Sequence, residues 1–94
     1  MDEDLGDLMN VGLMLCHLRE AKEELEKIIK ELESNKEYCA SEYGVHMTHL
    51  YHHLNTAWHI RNVAPERVYN YSSEDFDAWG KFPAGDEYLM VDNV

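Results

Sequence analysis

Basic residues are scarce in this chain: eight lysines and arginines stand against nineteen aspartates and glutamates, a formal net charge of −11 with histidine neutral. Nonspecific nucleic-acid binding needs cations to neutralise phosphates, so this balance argues against it, and equally against an anionic membrane surface. The charge suits a basic protein partner or solubility alone. Long apolar runs are missing as well, and no stretch approaches the 18 residues of a spanning helix. The opening MDEDLGD is acidic where a secretory signal is basic, so a cytoplasmic location is expected. Two cysteines, Cys16 and Cys39, are too few for a disulfide framework. Cys16 would lie about 18 residues, roughly 27 Å at the α-helical rise, from a helix end near Ser34, and Cys39 falls in the turn beyond that end. Prolines number two, and the five glycines are scattered, so no phosphate-binding Gly-rich loop exists. His-Glu-x-x-His, Cys-x-x-Cys and paired Glu-x-x-His motifs are absent. Cys16 and His17 are adjacent and point about 100° apart on a helix, which disfavours a nucleophile–base pair.

What is present is helical periodicity. Leu8, Val11, Leu15, Leu18, Leu25, Ile29 and Leu32 recur in steps of three and four, interrupted only by Lys22 and widened by Met14, Ala21 and Ile28. This predicts an amphipathic helix of bundle type over about 5–34. Ser41 is the expected N-cap of a second helix over about 42–62, with Glu42 in its first turn and Pro65 enforcing its end. Tyr43, Met47, Leu50, Leu54, Ala57 and Arg61 form its stripe, flanked by Tyr51 and Trp58. A short connection implies antiparallel packing, and folding the stripes together pairs Leu25 with Leu50 and Leu18 with Trp58. Ser72-Ser-Glu-Asp before Phe76, with Gly80 beyond, predicts a short helix over about 73–79. The fold expected is one all-α domain over 1–94: a long hairpin, a short third helix and an irregular tail.

Residues 8–18 are apolar nearly all round, because Met9, Leu13 and Cys16 lie off the main stripe. A helix apolar on all sides needs cover on all sides. That cover comes from the C-terminal aromatics Phe76, Trp79 and Phe82, or from a second copy making a four-helix bundle. Met9, Leu13 and Cys16 are therefore candidate dimer or tail contacts.

Residues 49–59, HLYHHLNTAWH, hold four of the six histidines. Glu42, His46, His49 and His53 fall on one strip of the second helix, and the four-residue spacing lets two imidazoles meet one divalent transition-metal ion. The alternative is that these rings edge the core with one nitrogen wet, while His52 and His59 project elsewhere. Glu20, Glu24 and Glu31 of the first helix are the acids nearest the strip.

Arg61 occupies a core position and calls for a carboxylate from Asp4, Asp7, Asp75 or Asp77. Failing that, it would bind an anion in a pocket with Trp58 and Trp79. The acidic-aromatic segment EDFDAWGKFPAGDEY either docks a basic partner or caps the hairpin. No catalytic set emerges. The reading is a non-enzymatic, homodimeric interaction or regulatory module, or alternatively a metal-binding protein using the strip.

Overall fold

The computed structural model describes residues 8–83 and is mostly helical. Two long helices, α1 (Val11–Ser34) and α2 (Ala40–His59), pack antiparallel, followed by α3 (Pro65–Tyr69) and α4 (Ser73–Trp79). The hairpin and the third expected helix are present. Helix α1 starts at Val11 rather than near residue 5, because Asn10 is committed elsewhere. Its backbone N–H donates to Arg61 O at 2.6 Å and its side-chain amide donates to Val63 O at 2.8 Å. These bonds tie the start of α1 to the connection after α2, and Asn10 is buried.

At the other end of the hairpin the cap is Cys39, two residues before the expected Ser41. The Cys39 N–H donates to Glu42 Oε1 at 3.3 Å, so Glu42 acts in the first turn as anticipated. Helix α2 ends at His59, with Ile60 as C-cap. Helix α3 escaped the sequence reading. Ala64 is extended, as a residue before proline prefers, and Pro65 then opens a single turn in which its missing N–H costs nothing. In α4 the Ser72 hydroxyl accepts from Asp75 N at 3.0 Å and Asp75 Oδ2 accepts from Ser72 N at 3.2 Å. This reciprocal cap fixes a helix too short to persist by propensity.

The side of α1 that meets α2 is the edge of the expected stripe rather than its centre. Leu8, Val11, Leu15, Leu18, Leu25, Ile29 and Leu32 are all exposed, from 39% to 71%. The contact is made by the edge of the widened stripe and by a polar heptad-spaced line beside it. Met14, Ala21 and Ile28 form one, and Ala21 and Ile28 join Leu50 and Met47 in a small apolar cluster. Asn10, His17 and Glu24 form the other, each hydrogen-bonded across to the chain from α2 onward. The register follows these bonds: Glu24 sits opposite His49 and His17 opposite His53. This level is within two residues of the expected pairing of Leu25 with Leu50, and Leu50 itself packs with Ala21 and Ile28, whereas His53 lies where Leu18 was expected to meet Trp58, about six residues away. Buried polar groups need partners, so Asn10 and Glu24 favour the register that places Val63 O and His49 opposite them.

The hairpin's open end is closed by a second cluster of Ile60, Val63 and Trp79, against which Leu13 and Val68 pack. Leu13 thus finds its cover in the C-terminal region of its own chain, whereas Met9 and Cys16 remain exposed. Replacing Asn10 with alanine removes the buried bond to Val63 O and should cost about 1–3 kcal/mol of stability. Urea unfolding measures this, and an unchanged midpoint would contradict the tether.

Candidate functional site

Between α1 and α2 runs an unbroken line of polar contacts. Glu24 Oε1 lies 2.9 Å from His49 Nδ1, His49 Nε2 lies 3.1 Å from His53 Nε2, and His53 Nδ1 lies 3.1 Å from His17 Nδ1. Helix spacing explains the array. His49 and His53 are one turn apart on α2, while His17 and Glu24 are two turns apart on the α1 line facing it. One set of neutral tautomers satisfies every contact. Glu24 accepts the Nδ1–H of His49, whose Nε2 accepts the Nε2–H of His53, whose Nδ1 accepts the Nδ1–H of His17. Glu24 therefore sets the direction of the whole chain.

The environment differs along its length. The Glu24 side chain is 9% exposed and that of His49 is 54% exposed. Glu24 Oε2 is buried and has no hydrogen-bond partner among the described residues. Burial holds the pKa of His17 below the usual histidine value, aided by His52 and opposed by Glu20. The pKa of His53 is lowered first by burial, then by His49, His17 and His52, with Glu20 again opposing. Both rings are thus kept neutral, the form in which imidazole nitrogens accept hydrogen bonds or bind metals.

The strip Glu42, His46, His49, His53 divides. His49 and His53 come together, but His46 Nδ1 is taken by the Tyr38 hydroxyl at 2.6 Å beneath a stacked Tyr38 ring. Desolvation raises the Tyr38 pKa, with Glu31 and Glu42 adding to it, so the phenol is the donor. Glu42 is spent on the Cys39 cap. No group of three or more His, Cys, Asp or Glu side chains is arranged to hold a metal ion among the described residues. His59 Nε2 donates to Lys81 O at 2.8 Å, away from the chain. The sequence analysis weighed His17 only beside Cys16 and missed its place opposite His53. Its signal is the heptad step from Asn10 through His17 to Glu24, concealed because that line is polar.

Arg61 is half-buried, with its guanidinium 3.9 Å from the centroid of Trp58 and Nη1 donating to Trp58 O at 2.8 Å. Of its expected partners, Asp4 and Asp7 lie outside the described residues, and Asp75 is engaged by Arg67 at 3.1 Å. That bond and the Ser72 N–H hold the Asp75 carboxyl below its usual pKa. Trp58 carries the Arg61 guanidinium on its ring, while Trp79 lines a cavity whose described lining includes neither. This half-open cavity of about 200 Å³ lies between α2, α3 and α4, lined by His17, His52, Thr56, Val68, Phe76 and Trp79 among others. Of the three aromatics considered as docking anchors, Trp79 is buried, while Phe76 and Phe82 are exposed. Residues 84–94, with the acids Asp86, Glu87 and Asp92, lie outside the described residues.

Histidine in an unfolded chain titrates near 6.5. Since the folded pKa values of His17 and His53 lie below that, the unfolded state binds more protons as pH falls through 6.5. Their contribution therefore favours folding above pH 6.5 and erodes below it. In metal-free protein, side-chain NMR titrations of both residues should give midpoints below 6.5; a midpoint at or above it for either would contradict the packing. No protein-family model, curated protein or solved structure matches this chain, so its function is argued from its own residues.

Proposed function

We propose that the chain is an interaction module that works as a homodimer, two hairpins joining face to face in a four-helix bundle. The observation that carries this reading is the exposed apolar stripe of α1. At 100° per residue, its centre lies roughly 100° around the helix from the face that meets α2. On α2 the apolar residues Tyr43, Leu54 and Trp58 are offset by roughly 70° in the same rotational sense. Because the helices are antiparallel, equal senses of rotation bring both stripes to one side of the hairpin. The result is a two-helix apolar surface, while Glu24, His49 and His52 fall toward the opposite side.

A second copy is the occupant that fits this surface. Within the stripe from Leu8 to Leu32 the one charged position is Lys22, so a highly charged partner finds little to pair with. The 3–4 spacing is that of a bundle seam, which is self-complementary across a two-fold axis. Each of its seven apolar side chains is roughly half exposed. Completing its burial is worth on the order of 1 kcal/mol apiece, before the cost of association. The apolar core inside one hairpin, Ala21, Ile28 and Leu50 with Met47, is small beside that surface. An unmatched apolar face of this extent is the usual mark of an interaction site.

Sedimentation equilibrium of the full chain should therefore give twice the chain mass of 11.0 kDa. The double substitution Leu18→Glu/Leu25→Glu should give a monomer whose helical circular dichroism persists, because neither residue belongs to the intrachain core. A monomeric wild-type chain at micromolar concentration would overturn the reading, as would a dimer that survives both glutamates.

A further inference from the structure

We propose that His49 and His53 chelate one divalent transition-metal ion through their Nε2 atoms, with Glu24 and His17 reaching from α1 to orient the two imidazoles. The Nε2 atoms are already 3.1 Å apart. Two imidazole nitrogens about 2.0–2.1 Å from one ion, at angles of roughly 95–110°, are separated by ~3.0–3.4 Å. The pair is spaced for an ion without any change of helix geometry.

The outer nitrogens complete the case. Imidazoles that bind metals hand their second nitrogen to a carboxylate, carbonyl or other partner that fixes the tautomer. Both rings have one here: His49 Nδ1 is held by Glu24 Oε1 at 2.9 Å and His53 Nδ1 by His17 Nδ1 at 3.1 Å. Glu24 keeps the His49 proton on Nδ1 and leaves the Nε2 lone pair free. For His53, the metal-bound state carries the proton on Nδ1, donated to His17 Nδ1, and His17 keeps its own on Nε2. Compared with the metal-free chain, His53 and His17 exchange tautomers with no net gain or loss of protons.

The buried Glu24 Oε2 is an independent pointer. A carboxylate oxygen with no hydrogen bond at this depth is costly, and a divalent charge beyond the His49 ring offsets it. Two protein ligands leave the remaining coordination positions to water or an external donor, and the exposed His49 side admits either. Paired imidazoles favour zinc, nickel, copper or cobalt over calcium and magnesium. The pair sits away from the apolar stripe, so the ion does not depend on self-association.

Calorimetric titration of Zn²⁺ and of Ni²⁺ into untagged, chelator-stripped full chain tests the site. One ion per chain is expected, lost in His49→Gln and in His53→Gln but retained in His52→Gln and His59→Gln. Glu24→Ala should weaken binding about 10–100-fold, with Glu24→Gln recovering part of it. In the wild-type chain, long-range ¹H–¹⁵N spectra should show the His53 proton on Nε2 without metal and on Nδ1 with Zn²⁺. This readout needs no variant to fold. Absence of binding, equal loss in the His52 and His59 controls, or an unchanged His53 tautomer in the Zn²⁺-loaded chain would overturn the proposal.

Discussion

Everything in this molecule follows from how α1 is turned against α2. The contact uses small and polar side chains: Ala21 and Ile28 against Leu50, Glu24 against His49, His17 against His53, and Asn10 against the chain beyond Ile60. Asn10, His17 and Glu24 Oε1 each have a partner at a fixed height, so sliding or rolling the helices would strand several at once. An unsatisfied buried donor or acceptor costs more than an ordinary hydrogen bond contributes. Apolar side chains impose no comparable penalty for a shifted register. Polar satisfaction therefore fixes the orientation, and the leucines take whatever surface is left.

That orientation gives the hairpin two different sides. One carries Leu18, Leu25, Ile29 and Leu32 together with Tyr43 and Leu54, a surface suited to another hairpin. The other carries the imidazoles, among which burial first, and then neighbouring histidines, favour the neutral forms of His17 and His53. The third and fourth helices close the end through Trp79, Ile60 and Val63, and Leu13 completes that cluster from α1. The proposed adhesive surface and the proposed metal-binding pair thereby lie on different sides of the hairpin.

The sequence reveals the helices more readily than their faces. Periodicity and capping residues place α1, α2 and α4, with Ser72 and Gly80 marking the limits of α4. Helix α3 is a single turn with no period to read, and only Pro65 signals its start. The stripe of α1 meets α2 through its edge, Ala21 and Ile28, while its leucines stay exposed, because hydrophobic spacing reports a face to be buried without naming what buries it. The His49–His53 pair is legible from its four-residue step. The roles of Glu24 and His17 are not, since they depend on the rotation of α1. Glu42 and His46 share the strip's spacing but are diverted by local partners, Cys39 and Tyr38, that spacing cannot weigh.

The outward stripe of α1 is the surface proposed to lie between two copies. Isotope-filtered NMR on a mixed sample, one half methyl-labelled and the other half deuterated except for its aromatic rings, addresses that directly. Intermolecular contacts are expected from the methyls of Leu18, Leu25 and Ile29 to aromatic rings such as Tyr43 and Trp58 of the other copy, and not from Ala21 or Ile28. Intermolecular contacts confined to Ala21 and Ile28, or none from the stripe, would contradict the orientation on which the rest depends.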